Sequence, residues 1–292
     1  MNPSETYLSP GKKLRICWEQ APVVIPGVFN PLVARMAEQL GFRAIYLSGG
    51  ALSAGTGVPD VGLLSLTDFV TEASKITQIT HLPLLCDADT GFGDVLNVER
   101  TVHLMIRAGV AGIHLEDQEM PKRCGHLSGK SLVAPQAMAA KVKAAAQSRT
   151  DKEFVIIART DARGVNGFDD AVARANLYLE AGADAIFPEA LASKEEFAEF
   201  SRRVQAPLLA NMTEFGKSPL LTQQELADLG YKMVLYPLSA FRVAMRAAET
   251  ALQAIFRDGH QKNLLPTMQT RAELYDLLQY SDFEARDRHY FE

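Results

Sequence analysis

The stretch Ala108-Gly109-Val110-Ala111-Gly112-Ile113 joins the end of a predicted helix to the start of a predicted strand. A glycine just after a helix supplies its left-handed cap, and the apolar run behind it is typical of a buried strand. The same pattern returns at residues 40–46, 181–186 and 229–234. Short apolar runs that alternate with helical stretches indicate βα units and therefore a parallel sheet.

Eight strands of this kind can be placed along the chain. They are expected near residues 23–28, 44–48, 84–89, 112–117, 154–160, 185–189, 208–213 and 233–239. Their spacing of about 20–40 residues leaves room for a helix between neighbours. Eight parallel βα units predict an α/β fold of the (β/α)8 TIM-barrel type. The alternative is an open doubly wound sheet, which more often has about five or six strands.

The chain is predicted to form one domain with a helical tail. No linker rich in Pro, Gly and Ser divides the 292 residues, so we expect a single barrel domain over residues 1–292. The helical tail covers about residues 243–292, and it either packs on the barrel or forms an oligomer contact that also covers the site. Residues 49–62 are rich in small side chains and form either a mobile loop over a site or a long connection.

Composition argues against several classes of protein. Hydrophobic residues make up 47% and charged residues 22% of the chain, a globular mixture that argues against disorder. The net charge of −5 and the lack of a long basic run argue against nucleic-acid and membrane-surface binding. Residues 1–20 lack a signal core, and no apolar run is long enough to span a membrane. Three cysteines cannot all pair with one another, which favours a reducing compartment, and we expect a cytoplasmic protein.

Polar side chains occur where the predicted strands end, which is where parallel barrels place their active sites. Side chains on a strand alternate between its two faces, so residues two apart share a face. Four such pairs are expected to point inward: Tyr46 and Ser48, Asp87 and Asp89, His114 and Glu116, and Arg159 and Asp161. Burying several carboxylates without a partner would be very costly, so we expect a divalent cation among them.

Oxygen ligands favour a hard cation, and Mg²⁺ usually takes only one or two protein carboxylates and keeps several waters. The sequence favours Asp87 as the direct ligand, with Asp89, Glu116 and Asp60 beside it or acting through water. The alternative for any one of these residues is a surface carboxylate without a metal, since Asp is common just after a strand. Zinc is not favoured, because the six histidines are scattered and no paired cysteines occur.

Cys124 lies in the motif Pro121-Lys122-Arg123-Cys124-Gly125-His126, between two cations and an imidazole. Such surroundings lower the pKa of a thiol and suit a proton donor or a nucleophile. The alternative is a loop cysteine among solvated charges. Cys86 differs, because it falls inside a strand on the face opposite Asp87, and we expect it in the core.

These motifs together resemble the phosphoenolpyruvate mutase/isocitrate lyase superfamily. The stretch Lys122-Arg123-Cys124-Gly125-His126 resembles the signature of its lyases, which separates them from the mutases and hydrolases. The other matching stretches are residues 46–50, 87–93, 116–118, 158–161, 187–190, 211–216 and 235–242. The resemblance covers nearly the whole chain, from about residue 22 to residue 275.

The resemblance implies an Mg²⁺- or Mn²⁺-dependent carbon–carbon lyase that cleaves a small tricarboxylate, 2-methylisocitrate, to pyruvate and succinate. This reaction belongs to the methylcitrate cycle of propionate catabolism. The superfamily also implies a homotetramer whose neighbours exchange their last barrel helix. Loss of the substrate hydroxyl proton drives the cleavage and leaves a succinate carbanion. That carbanion is stabilised as a doubly charged enediolate, which requires concentrated positive charge.

The resemblance also implies roles for individual residues. Those expected to bind the pyruvate-forming part of the substrate are Ser48, Gly49, Gly50 and Arg159. Those expected to hold the succinate part are Gly125, His126, Glu189, Asn211, Thr213, Arg242 and Arg271. Cys124 would protonate the enediolate, while Phe187 and Leu235 would form the pocket for the methyl group. The resemblance does not assign the group that takes the first proton, and Tyr46 is a candidate.

Other functions remain as alternatives. Isocitrate lyases share the cysteine motif but are usually longer, and a methyl group changes selectivity by only about 1–3 kcal/mol. A dimethylmalate-type lyase is a second alternative. Phosphonopyruvate and oxaloacetate chemistry is less favoured, because those superfamily members lack the cysteine motif. A barrel without catalytic activity is the alternative from a different class, since a fold by itself does not imply a function.

Overall fold

The computed structural model describes residues 8–123, 125 and 129–291. The chain divides into two compact units, Met1–Ser239 and Ala240–Glu292, and each is described by itself. The prediction of a single domain with a tail stays a prediction. Within the described ranges, no helix has both the length and the apolar character needed to cross a membrane.

The first unit contains the eight predicted strands. They are β1 (Val23–Pro26), β2 (Ile45–Leu47), β3 (Leu84–Asp87), β4 (Gly112–Glu116), β5 (Val155–Thr160), β6 (Ala185–Pro188), β7 (Leu209–Asn211) and β8 (Met233–Tyr236). All their pairings are parallel, and they form two groups, β2-β3-β4-β5-β6 and β7-β8-β1. Single parallel bridges, Gly27 to Tyr46 and Ile186 to Leu208, join the groups on both sides. The sheet therefore closes into the predicted barrel, and the open doubly wound alternative is wrong.

Helices connect the strands. They are α1 (Pro10–Gln20), α2 (Pro31–Gln39), α3 (Gly49–Gly55), α4 (Leu66–Thr77), α5 (Val95–Arg107), α6 (Pro135–Gln147), α7 (Phe168–Glu180), α8 (Lys194–Arg203) and α9 (Gln223–Asp228). A 3₁₀ turn, Ala162–Gly164, follows β5. The four glycines of the recurring pattern, Gly41, Gly109, Gly182 and Gly230, all have positive φ, from 78° to 109°. They end helices in the left-handed conformation that glycine adopts without strain, as the sequence predicts.

Two apolar layers stabilise the barrel. Side chains on one face of each strand fill its interior, including Leu85, Phe187 and Leu235. Side chains on the opposite face pack against the surrounding helices, and Cys86 lies fully buried in this outer layer, as predicted. The alternation along each strand therefore separates the interior from the helical layer, and it leaves the polar strand ends on the interior face.

Helix α1 contributes to the interior at the amino end of the strands. Its Leu14 and Trp18 belong to the same apolar cluster as the strand side chains. Arg15 Nε donates to the backbone oxygen of Glu153, at 2.9 Å, just before β5 begins. Cys17 is also buried there, and its thiol donates to the backbone oxygen of Arg43 at 3.2 Å. This end of the barrel is thus packed with apolar groups, and the opposite end is left for the polar ones.

The second unit is helical. It comprises α10 (Ser239–Asp258), a 3₁₀ segment (Lys262–Thr267), α11 (Arg271–Leu277) and α12 (Tyr280–His289). Ser239, the first residue of α10, is the last residue of the first unit. A capping box begins α11, because the Glu273 carboxylate accepts from the Thr270 backbone N–H at 2.6 Å while the Thr270 hydroxyl accepts from the Glu273 N–H at 3.2 Å. The rings of Tyr275 and Tyr280 stack with their centroids 4.6 Å apart.

Candidate active site

A cavity opens at the carboxyl ends of the strands. It is lined by Tyr46, Ser48, Gly50, Asp60, Asp87, Lys122, Gly125, Arg159, Phe187, Glu189, Asn211, Thr213, Leu235, Pro237 and Leu238. All of these except Lys122, Pro237 and Leu238 are residues that the sequence assigns to the site. A larger cavity beside it, of about 460 Å³, includes only Asp89 among the predicted site residues that the structure describes. The strand-end cavity is therefore the one that matches the predicted chemistry.

The Asp87 carboxylate is held in place from several directions. Its Oδ2 accepts from the Gly49 backbone N–H at 3.1 Å, and its Oδ1 accepts from the Asp89 N–H at 3.0 Å. A Cβ atom on Gly49 would lie 2.8 Å from Asp87 Oδ2, so only glycine permits this approach. Burial alone would raise the pKa of Asp87, but His114, Lys122 and Arg159 outweigh it and lower that pKa to about 2. Asp87 is thus a fixed, ionised carboxylate.

Lys122 lies between two other carboxylates. Its Nζ is 2.6 Å from Asp60 Oδ1 and 2.5 Å from Asp89 Oδ1, and only 3% of its side chain is exposed. Burial and the charge of Asp87 raise the pKa of Asp89 to about 7, although Lys122 opposes the shift. Against the effect of burial, the carboxylates of Asp60, Asp87, Asp89 and Glu116 all act on the one positive charge of Lys122 and raise its pKa. Such a site favours a further cation.

Tyr46 and His114 form a buried pair next to Asp87. The Tyr46 hydroxyl oxygen is 2.8 Å from His114 Nε2. When Nε2 carries the imidazole proton, the Tyr46 hydroxyl group accepts from it and donates its own proton to Asp87 Oδ2 at 3.4 Å. Burial lowers the pKa of His114 to about 4, so the imidazole is neutral near pH 7. Burial and the charge of Asp87 raise the pKa of Tyr46. His114 Nδ1 has no hydrogen-bond partner among the described residues.

Arg159 crosses the cavity floor. Its Nε and Nη2 donate to Asp161 at 3.0 and 3.2 Å, which fixes the plane of the guanidinium group. The same group lies 3.3 Å from Glu116 Oε2 and stacks on the Phe187 ring at 5.0 Å. Its Nη1 lies 3.6 Å from Glu189 Oε2. Arg159 is thus oriented by neighbouring groups before any ligand binds.

Part of the cavity lining is apolar. Asn211 Nδ2 donates to Glu189 Oε2 at 3.3 Å, and Thr213 lies beside them on the cavity lining. Phe187 and Leu235 are each 1% exposed and present carbon atoms to the same cavity. Apolar side chains beside charged ones suit a carboxylic acid that carries a small alkyl group.

The backbone of Gly125 packs against Arg159 and Glu189. A Cβ atom there would lie 2.5 Å from Glu189 Cγ and closer still to Arg159 Nη2, so no larger residue fits without displacing them. The segment before it is clamped by Gln118. The Gln118 side chain donates to the Arg123 backbone oxygen at 2.8 Å and accepts from the Arg123 N–H at 2.9 Å.

Some predicted residues are not placed at the cavity by the structure. Cys124 and His126 lie outside the described residues. Arg242 lies on α10 and Arg271 begins α11, both in the second unit, which is described separately. The N–H of Gly49, expected to face substrate, donates to Asp87 instead.

Sequence reasoning assigned no role to His114 or Lys122. Each carried a detectable signal, because His114 shares a strand face with Glu116 and Lys122 stands in the cysteine motif. The structure brings both to Asp87 or its neighbours. Pro237 and Leu238, which follow β8, carried no polar signal at all.

The carboxylates of Asp87, Asp89 and Glu116 are the oxygen ligands that a hard cation prefers, although they do not form a complete ligand set. Among the described residues, no three His, Cys, Asp or Glu side chains are arranged as a ready ligand set. Glu116 is 2% exposed, burial raises its pKa, and its Oε1 has no hydrogen-bond partner within the described part of the chain. Oxygen atoms of Asp87 and Asp89 lie close by, linked through the Asp89 backbone. One or two carboxylates plus water molecules are what Mg²⁺ usually requires.

Comparisons with characterised proteins agree with this architecture. The chain is 53% identical over 279 residues to a 2-methylisocitrate lyase from Aeropyrum pernix, covering 95% of this chain and 90% of that protein. It is 47% identical over 281 residues to a 2-methylisocitrate lyase from Escherichia coli, covering 95% of each.

Solved structures of related enzymes share the fold. A 2,3-dimethylmalate lyase of the PEP mutase/isocitrate lyase superfamily matches with a TM-score of 0.91 and 33% identity, covering 97% of this chain and 96% of that one. A phosphonopyruvate hydrolase in complex with oxalate and Mg²⁺ matches with a TM-score of 0.89 and 31% identity, covering 98% of this chain and 100% of that one. The phosphoenolpyruvate phosphomutase family model matches residues 15–256. The chain therefore belongs to the phosphoenolpyruvate phosphomutase family.

Proposed function

We propose that the protein is a carbon–carbon lyase that cleaves 2-methylisocitrate to pyruvate and succinate, a step of the methylcitrate cycle of propionate catabolism. The observation that carries this proposal is the composition of the strand-end cavity. Its lining combines the charged side chains of Arg159 and Asp87 with the carbon surfaces of Phe187 and Leu235. Identity of 46–53% to several 2-methylisocitrate lyases over most of the chain supports the same reaction.

The proposed cofactor is Mg²⁺, with Mn²⁺ as a substitute. Asp87 and Asp89 would hold it, with Asp60 and Glu116 acting through water. The unpaired oxygen of Glu116 and the excess of buried carboxylates support this choice. When bound, the ion would lower the pKa of a coordinated hydroxyl and offset the charge of carboxylate oxygens.

Residues of the chain itself orient the substrate. Asp161 binds Nε and Nη2 of Arg159, and we infer that Nη1, which lies 3.6 Å from Glu189 Oε2, binds a substrate carboxylate. Ser48 and the backbone of Gly50 line the same region and supply further polar groups. Asn211, Thr213 and Glu189, which also line the cavity, would contact the succinate part. Arg242, Arg271 and His126 are proposed for that part from the family motif alone.

Tyr46 and His114 are suited to moving the first proton. Because the pKa of Tyr46 is raised, the phenol enters the reaction protonated. In the tautomer whose proton is on Nδ1, its oxygen takes the proton from the substrate hydroxyl while its own proton passes to His114 Nε2, 2.8 Å away, and His114 becomes an imidazolium. The carbon–carbon bond then breaks, pyruvate forms, and the electron pair stays on the succinate part as an enediolate. Cys124 is proposed to return a proton to that carbon.

The assembly and location of the protein are part of the same proposal. We expect a homotetramer, with the helical second unit taking part in contacts between neighbours, and a cytoplasmic location. Both follow from the family resemblance, and size-exclusion chromatography with light scattering would test the first.

The reaction can be tested by coupling the purified protein to lactate dehydrogenase, which reports pyruvate. We expect pyruvate from 2-methylisocitrate with Mg²⁺, loss of turnover in EDTA, and recovery when Mg²⁺ is restored. Cys124→Ser should keep less than about a tenth of turnover, because general acid catalysis contributes about 10²-fold or more. Cys17→Ser is the matched control, since Cys17 packs at the opposite end of the barrel. A metal-loaded protein that forms no pyruvate would overturn the proposal.

A further inference from the structure

Lys130 is a buried lysine outside the cavity lining. Only 1% of its side chain is exposed. Its ammonium group donates to Asp161 Oδ1 at 2.6 Å and also to the backbone oxygen of Gly125. Burying an ammonium group is costly unless its partners are charged and well placed, so this arrangement needs a compensating carboxylate. Asp161, which is fully buried, provides it.

Asp161 connects Lys130 to the cavity. The same Oδ1 that accepts from Lys130 also accepts from Arg159 Nη2 at 3.2 Å, and Oδ2 accepts from Arg159 Nε at 3.0 Å. Asp161 is itself fixed, because its backbone N–H donates to Asp117 Oδ1 at 2.9 Å. One carboxylate therefore joins the ammonium group of Lys130 to the guanidinium group of Arg159.

Asp117 makes the base of this network rigid. Its Oδ2 accepts from the Thr160 hydroxyl and from the Tyr178 hydroxyl, each at 2.8 Å, and lies 3.3 Å from Arg174 Nη1. All of these groups lie on β5, α7 and the end of β4. The network thus begins in the packed layer between sheet and helices and ends at Arg159 in the cavity.

Lys130 therefore fixes two parts of the cavity wall at once. Through Asp161 it holds the edge of Arg159, and through the backbone oxygen it holds Gly125. The two parts touch, because Gly125 packs against Arg159 and Glu189 with no room for a Cβ atom. Displacing either part by about 1 Å is enough to lower a rate by about 10²-fold when the displaced group orients a substrate.

We propose that Lys130 is a positioning residue that sets the orientation of Arg159 and the place of the Gly125 backbone without touching the substrate. The inference rests on the proposed function for the identity of the substrate that Arg159 binds. It goes further in naming a residue outside the cavity on which that binding depends.

The test compares Lys130→Met with a matched control at the other end of the barrel. Arg149→Met also removes a paired cation, because Arg149 Nη1 lies 2.7 Å from Asp184 Oδ2, although 17% of its side chain is exposed. Lys130→Met should lower kcat/KM for 2-methylisocitrate by about tenfold or more, since the Asp161 carboxylate that holds Arg159 and the Gly125 backbone both lose the ammonium group that joins them. Lys130→Arg, which keeps the charge, should recover most of the loss. Arg149→Met should lower the Tm but leave kcat/KM within about twofold of wild type.

A second readout does not depend on turnover. Oxalate in the presence of Mg²⁺ is the probe, and its Kd is measured by calorimetry. Lys130→Met should weaken oxalate binding by about fivefold or more, because Asp161, which orients Arg159, loses one of its two cationic partners and can shift. Arg149→Met should leave that Kd unchanged. If Lys130→Met does not fold, Lys130→Gln, which keeps a donor without the charge, is compared in its place.

The outcomes separate the two ideas. Wild type that binds oxalate in the expected pattern but cleaves no 2-methylisocitrate would defeat the proposed function and leave the role of Lys130 standing. Wild type that cleaves 2-methylisocitrate, with Lys130→Met unchanged in both kcat/KM and oxalate Kd, would overturn the role of Lys130. Equal losses in Lys130→Met and Arg149→Met would also overturn it, since they would show only a structural effect.

Discussion

The Tyr46 hydroxyl oxygen lies 2.8 Å from Nε2 of His114, and the two rings stack with their centroids 5.7 Å apart. Burial makes both groups neutral near pH 7, because it raises the pKa of the phenol and lowers the pKa of the imidazole to about 4. Asp87 lies against both of them, 3.4 Å from the hydroxyl and 3.6 Å from Nε2. When this pair takes one proton from a substrate, His114 becomes a cation, and the Asp87 carboxylate beside it offsets the charge.

Tyr46→Phe tests this relay. Removing the hydroxyl should lower kcat by about 10²-fold or more, since general acid–base groups contribute about 10²–10⁴-fold. KM should change little, because the ring remains in place. Tyr231→Phe is the matched control, because Tyr231 is equally buried and its hydroxyl donates only to the Phe197 backbone oxygen among the contacts of the described chain. A Tyr46→Phe variant with more than about a tenth of wild-type kcat would refute the relay.

His114 should make stability depend on pH. The unfolded chain binds a proton on histidine near pH 6.5, whereas folded His114 does so only near pH 4. Protons therefore favour the unfolded state between these values, and stability from His114 is complete above about pH 6.5 and is lost as pH falls towards 4. In EDTA, lowering the pH from 7.5 to 5 should reduce the free energy of unfolding of wild type, relative to His114→Gln, by about 2 kcal/mol. An equal difference at both pH values, measured by urea unfolding, would contradict the neutral imidazole.

Lys122 should compete with a bound cation for the same carboxylates. Lys122→Met leaves Asp60 and Asp89 without their cation, which should lower the Tm in EDTA because buried charges lose their partner. Added Mg²⁺ should then raise the Tm of Lys122→Met by more than it raises the Tm of wild type. Lys75→Met is the control, since the Lys75 side chain is 59% exposed in its pair with Glu72. Equal Mg²⁺ shifts in wild type and Lys122→Met would place the metal elsewhere.

Gly125 should tolerate no side chain. Gly125→Ala places a Cβ atom against Arg159 and Glu189, so we expect kcat/KM to fall by about 10²-fold through displacement of the arginine. Gly55→Ala is the control, because nothing lies within 4 Å of a Cβ atom there. Steady-state kinetics of both variants, with Tm recorded for each, checks the prediction. Comparable kinetics in the two variants would show that the contact at Gly125 does not matter.

The sequence predicted the parts of the structure that depend on local chemistry. Strands were predicted from apolar runs behind helix-capping glycines, and the positive φ of Gly109 and Gly182 agrees with that reading. The inward pairs at strand ends were predictable because alternation with period two is a property of the strand alone. For this reason Asp87 and Arg159 could be assigned to one cavity before their distances were known.

The features of the fold and the site that the sequence does not predict depend on contacts between segments distant in the chain. The bridge from Ile186 to Leu208 that helps close the barrel has no local signal. Lys122 reaches back to Asp60 over a separation that no spacing rule predicts, and Lys130 reaches Asp161 in the same way. The burial of either ammonium group has no local signal in the sequence, because it is decided by the carboxylates that the fold brings to it.

The substrate preference tests the central claim most directly. We would measure kcat/KM for 2-methylisocitrate and for isocitrate separately, with Mg²⁺ and a thiol reductant, and identify pyruvate or glyoxylate as product. The apolar patch of Phe187 and Leu235 predicts a preference for 2-methylisocitrate of about 10–200-fold, the range that one methyl group provides. Pyruvate as the main product with that preference is the predicted result. A preference for isocitrate, with glyoxylate formed, would contradict the assignment of substrate.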